Sequence, residues 1–244
     1  MIRFILSALF LVLFLVLTIP IMIFEWILGK FSRSARDKSS LAIVLWGFRV
    51  ILFFSGVKIT VVGEENVPMD TPVLYVGNHR SFFDIMITYV RVPRPTGYVA
   101  KAEMRKAFLL NFWMKLVNCQ FLDRKDMKKG LQTILKCVEL EKKGVSICIF
   151  PEGTRNKEEG TLLPFHDGSF KIAQKASVPV IPFALSNTAE IFENHFPKVK
   201  KTHVVLRYGK PIYINDLAKE DQKNVGTYFQ NVISEMLEEN KALL

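Results

Sequence analysis

Residues 4–28 are almost unbroken apolar sequence, interrupted only by Ser7, Thr18, Pro20 and Glu25. As one helix these roughly 25 residues would reach ~37 Å at about 1.5 Å each, enough to cross the hydrocarbon core of a bilayer. The stretch is too long for a signal peptide and no small-residue cleavage site follows it. A basic connector runs over residues 30–38, and a second, shorter apolar segment over 41–57 is broken by Arg49. Were both segments to cross, the connector would lie outside, against the positive-inside tendency, and Arg49 would sit at hydrocarbon depth. Two arrangements survive. The first segment spans and the second lies at the interface, or both lie in one leaflet as a helical pair; either leaves the rest of the chain on the cytoplasmic face of the membrane.

The remainder, residues 58–244, reads as one α/β domain. Strand patterns fall at 58–63, 73–76, 98–100, 120–122, 145–150, 180–184 and 203–208. Helical patterns fall at 82–90, 106–116, 128–142, 169–176 and 224–240. Such alternation predicts a mixed, largely parallel sheet with helices on both faces. A net charge of +10 draws the folded surface toward anions. Nucleic acid competes for that role, but the apolar segment favours an anionic membrane surface. Cys119, Cys137 and Cys148 lack CxxC spacing and read as reduced, buried side chains. No metal-ligand cluster stands out, and no cofactor is expected.

Two polar clusters follow apolar strands: Asn78-His79-Arg80-Ser81-Phe82-Phe83-Asp84, and Phe150-Pro151-Glu152-Gly153-Thr154-Arg155. In an open α/β sheet, ligands gather beyond the strands' carboxyl ends. His79 suits a general base and Asp84 the group that orients it. Asp84 also stands three residues after Ser81, a capping-box spacing, so it could merely cap a helix. Gly153 and Thr154 could offer backbone N–H groups to an oxyanion, and Gly153 equally suits a tight turn. Arg124 and Arg155, just past strand ends, suit bidentate phosphate binding. His166, His195 and His203 have no partner spacing.

The two clusters resemble the first and third motifs of the glycerolipid acyltransferases, in particular the 1-acylglycerol-3-phosphate acyltransferases. Phe121-Leu122-Asp123-Arg124 looks like the second motif and Val178-Pro179-Val180-Ile181-Pro182-Phe183 the fourth. All four occur in family order, though Asn118 stands where the second motif usually opens with glycine. The resemblance implies acyl transfer from acyl-CoA or acyl carrier protein to the sn-2 hydroxyl of lysophosphatidic acid, giving phosphatidic acid for phospholipid synthesis. It assigns His79 and Asp84 to catalysis, Lys101, Arg124 and Arg155 to the acceptor's phosphate, and Glu152, Gly153 and Thr154 to the acceptor or oxyanion. Pro179 and Pro182 would shape the acyl-donor side, and Phe165, Gly168, Phe170 and Lys171 would help line the site. Rival readings are a different acceptor, glycerol-3-phosphate or another lysophospholipid, and a non-catalytic lipid-binding protein at the membrane surface.

Overall fold

A computed structural model describes residues 1–158 and 160–244. Three helices come first: α1 (Ile2–Leu17), α2 (Ile19–Phe31) and α3 (Arg33–Ser55). The apolar stretch expected as one rod is thus two helices, bent by 51° at Thr18. Pro20 sits in the first turn of α2, where its missing N–H and bulky ring prevent α1 from continuing straight. The basic connector is largely helical and mostly belongs to α3, among the described residues the one single helix long and apolar enough to span a bilayer.

The strands are β1 (Lys58–Val62), β2 (Leu74–Gly77), β3 (Thr96–Lys101), β4 (Gln120–Leu122), β5 (Ser146–Ile149), β6 (Val180–Ser186) and β7 (His203–Tyr208). Between and after them come α4 (Phe83–Tyr89), α5 (Phe108–Leu116), α6 (Met127–Lys142), α7 (Lys171–Ala176), α8 (Lys219–Lys223) and α9 (Val225–Lys241). They form one sheet in the order β1-β7-β6-β2-β5-β3-β4, parallel throughout except between β6 and β7.

Alternation within β2 divides the core. Val73 and Tyr75 face a layer containing Phe83 and Ile87 of α4, Trp113 of α5, and Leu41, Val44 and Leu52 of α3. Leu74 and Val76 face the other layer, with Ile134 of α6, Ile172 of α7 and Phe229 of α9. Leu41, Val44 and Leu52 thus make α3 a covering helix of one face of the sheet as well as part of the apolar end.

This layering sets the site. Strand β2 leaves toward α4 on one face, while its neighbour β5 leads to α7 on the other. Adjacent strands whose connections part to opposite faces open a crevice at their carboxyl ends. Gly77, the last residue of β2, leaves room for Phe183: a Cβ there would come within 2.1 Å of that ring.

Candidate active site

His79 and Asp84 meet as the five-residue spacing predicts. Nδ1 of His79 lies 2.8 Å from Asp84 Oδ2, and the same oxygen accepts the backbone N–H groups of Arg80 and Ser81, each at 2.7 Å. An oxygen surrounded by N–H donors fixes the ring tautomer with the proton on Nδ1, leaving Nε2 free as a base. Among the described residues Nε2 has no protein partner. Asp84 is fully buried, whereas His79 keeps its edge partly open. The capping alternative holds in part: Asp84 takes the Ser81 N–H, but Ser81 Oγ accepts from Phe83 N–H at 3.0 Å. One carboxylate starts α4 and orients the histidine. Phe150 stacks on the imidazole, ring centroids 4.2 Å apart.

Parallel pairing places the second cluster. In the β2–β5 register Val76 faces Ile149, and three further steps bring His79 opposite Glu152. Glu152 Oε1 accepts the His79 N–H at 2.7 Å and Oε2 accepts the Leu163 N–H at 3.0 Å. The Asn156 N–H donates to the His79 carbonyl at 2.8 Å. Both backbone polar groups of the histidine are thus held by the loop after β5. Burial pushes the Glu152 carboxyl above its usual value, opposed by its Leu163 and His79 hydrogen bonds. Glu152, expected at the acceptor or oxyanion, thus has one backbone donor on each carboxylate oxygen and holds the His79 backbone in place.

Gly153 is a turn. Its φ is +72° and its N–H donates to the Phe150 carbonyl at 3.0 Å, so that N–H is not available to an oxyanion. The Thr154 N–H, which has no protein acceptor among the described residues, is the remaining candidate. Around this turn two expected cations converge. Lys101 Nζ, at the end of β3, reaches Thr154 Oγ1 at 3.5 Å. The Arg124 guanidinium, past β4, lies about 3.0 Å from where a Gly153 Cβ would stand. Its half-burial lowers it from its usual value, with Glu103 acting in the opposite direction.

Arg155 points elsewhere. It pairs with Glu193 at 3.1 Å and lies 3.7 Å over the Phe82 ring. Glu193 also accepts from Ser81 Oγ–H at 2.7 Å and Phe82 N–H at 2.8 Å. This brace went unseen in the sequence, because Glu193 lies far along the chain in no recognisable motif. Asn78 was equally unassigned. Its side chain exchanges hydrogen bonds with the Leu185 backbone, N–H to Oδ1 at 2.8 Å and Nδ2–H to carbonyl at 2.9 Å, and so extends the β2–β6 pairing. Its place inside the first cluster was the available signal.

Phe165 and Phe170 lie in the core on the opposite face, Phe170 stacked on Phe229 at 4.9 Å, so they do not line the site. Gly168 and Lys171 are exposed. His195 pairs with Glu190 at 2.7 Å and His203 meets Thr60 at 2.8 Å, as solitary structural histidines do. The three cysteines are buried and free, and burial pushes Cys119 up to about 11 and Cys137 and Cys148 higher still. None is a ready thiolate nucleophile at neutral pH. No group of three or more His, Cys, Asp or Glu able to hold a metal occurs among the described residues.

A base oriented by a buried carboxylate, beside cations gathered on a turn at the parallel strands' carboxyl ends, defines a group-transfer site. The chain belongs to the acyltransferase family: the Acyltransferase family model matches residues 58–186. It is 30% identical over 198 residues to a 1-acyl-sn-glycerol-3-phosphate acyltransferase of Saccharomyces cerevisiae, covering 80% of this chain and 64% of that protein. A chloroplastic 1-acyl-sn-glycerol-3-phosphate acyltransferase of Brassica napus is 32% identical over 210 residues, covering 84% and 59%. The chain thus spans less than two thirds of either relative. The crystal structure of the 1-acyl-sn-glycerophosphate acyltransferase PlsC from Thermotoga maritima shares the fold, with a TM-score of 0.81 over 98% of this chain and 96% of that one, at 24% identity.

Proposed function

We propose that the protein transfers a fatty acyl group from an acyl thioester to the sn-2 hydroxyl of 1-acyl-sn-glycerol 3-phosphate, giving phosphatidic acid. The observation that carries this is the His79–Asp84 pair, 2.8 Å apart, with Nε2 left free. Nε2 takes the hydroxyl proton as the alcohol oxygen attacks the thioester carbonyl. Asp84 stabilises the imidazolium that forms. The Thr154 N–H, without a protein acceptor among the described residues, donates to the developing oxyanion. Collapse of the tetrahedral intermediate breaks the carbon–sulfur bond, and the leaving thiolate takes the proton back from His79. A thioester is reactive enough that no covalent acyl-enzyme is needed, in keeping with three buried thiols.

Lys101 and Arg124, gathered on the Gly153–Thr154 turn, hold the acceptor's phosphate. Arg155 is committed to Glu193 and Phe82 and shapes the neighbouring wall. The donor is acyl-CoA or acyl carrier protein. The apolar faces of α1 and α2, where Ile2, Val12, Leu17 and Phe24 are exposed, attach the protein to a membrane and keep the cleft on its cytoplasmic side.

An acceptor panel tests the reading. Purified protein is given lysophosphatidic acid, glycerol-3-phosphate and a choline lysophospholipid with each donor, and products are weighed. Phosphatidic acid should dominate. Preferential acylation of another acceptor changes the substrate, and no acylation of any acceptor leaves a lipid-binding protein instead.

A further inference from the structure

A second basic cavity, of about 600 Å³, lies along the free edge of β4. Arg33 and Arg36 from the start of α3, Arg105 from the turn before α5, Lys115 at the end of α5 and Lys136 of α6 line it, together with Asn118. No acidic residue lines it, and neither do His79, Lys101, Arg124 or Glu152. The cavity is therefore apart from the acyl-transfer site.

Its charge is only partly compensated. Asp37 pairs with Arg36 at 2.5 Å and more distantly with Arg33 at 3.8 Å. Lys115 and Lys136 are exposed and form no ion pair among the described residues. Asn118 Oδ1 lies 3.4 Å from Nη2 of both Arg33 and Arg36, and its Nδ2 is a buried donor without an acceptor among the described residues. Cations from four separate elements around one hollow, with the free Asn118 Nδ2 donor between them, match a phosphate oxygen set.

Place decides the source of the phosphate. The two arginines begin α3 just after α2 ends, and beside that corner Trp26 and Phe31 are exposed, Phe31 at 85%. Lys30 Nζ sits 3.7 Å over the Trp26 ring. Aromatic rings next to cations at the end of an apolar helix are the signature of the headgroup layer. We infer that this cavity grips the phosphate of an anionic membrane lipid, a headgroup site separate from the acceptor site. The inference rests on membrane attachment and not on acyl transfer.

The test is binding of the full chain to phosphatidylcholine vesicles with and without phosphatidylglycerol. Lys115→Gln with Lys136→Gln should lower affinity for the anionic vesicles by about fivefold per charge removed, and leave binding to pure phosphatidylcholine unchanged. Lys219→Gln with Lys223→Gln, on the exposed α8, removes the same charge elsewhere and should have a much smaller effect. Equal losses in the two double variants would mean general charge attraction and overturn the site. Inorganic phosphate distinguishes a soluble ligand: if it raises the melting temperature of the wild type but not of the cavity variant, while vesicle binding is the same in both, the lipid assignment fails. A rise in KM for acyl carrier protein alone, with vesicle binding intact, would likewise overturn it in favour of a protein partner.

Discussion

Glu152 accepts the backbone N–H of His79 at 2.7 Å, although the two are 73 residues apart in the chain. The bond is a continuation of the β2–β5 ladder by a side chain, and it fixes the base from the strand next door. Glu152→Gln keeps one acceptor oxygen but turns an NH₂ toward a backbone N–H, which costs about 1–3 kcal/mol at a buried site. The expected result is a lower melting temperature and a lower kcat, with acceptor KM little changed. A KM effect with unaltered kcat would return Glu152 to substrate binding.

His79→Ala removes the base and should lower turnover on the order of 10²–10⁴-fold while membrane binding is retained. Asp84→Asn should lose most activity too, and because Oδ2 also holds the Arg80 and Ser81 N–H groups it should melt earlier than His79→Ala. Steady-state rates and thermal melts on both variants check this. Near-normal turnover in His79→Ala would remove the mechanism.

Lys101→Ala and Arg124→Ala should each raise acceptor KM more than donor KM, since both gather on the Gly153–Thr154 turn. Arg155→Ala removes the cation from Glu193, which keeps its Ser81 and Phe82 donors, and uncovers the face of Phe82. It should depress kcat through the wall beside Ser81 and have less effect on acceptor KM. KM values measured separately for donor and acceptor decide.

Glu141, facing inward from α6, has neither carboxyl oxygen hydrogen-bonded among the described residues. Burial pushes its carboxyl from 4.5 up to about 9. A folded-state value above the unfolded one means that stability is full below about 4.5 and is lost as pH rises toward 9. At pH 7 the loss is on the order of 3 kcal/mol. Glu141→Gln abolishes the titration, so its melting temperature should match the wild type near pH 4 and exceed it increasingly up to about pH 9. A pH-independent difference would contradict the burial argument.

Much of this arrangement was legible in the chain. Every strand among the described residues was visible: β2, β5 and β6 as short buried apolar runs bounded by turns, β1 by its alternation, and even the three-residue edge strand β4. The His79–Asp84 pair was legible because both partners lie within one local turn. Strand order was not, and with it went the role of Glu152, which depends on β5 lying beside β2. Glu193 was invisible for the same reason. The break at Thr18 was underread: Ile19–Pro20 is a local signal that hydropathy overrode. Asn118 resolves the other way. Its φ of +62° is the left-handed conformation that glycine adopts freely and asparagine tolerates, so the second motif keeps its turn without glycine.

Aromatic rings run without interruption from α3 to the base. Phe48 of α3 meets Tyr89 at 5.6 Å, Tyr89 stacks on Tyr98 at 4.5 Å, Tyr98 reaches Phe150 at 6.5 Å, and Phe150 stacks on His79. The helix nearest the apolar end and the His79 imidazole are therefore joined by a continuous series of ring contacts. In the membrane-bound arrangement proposed above, this run of ring contacts ties the position of the imidazole to the seat of α3.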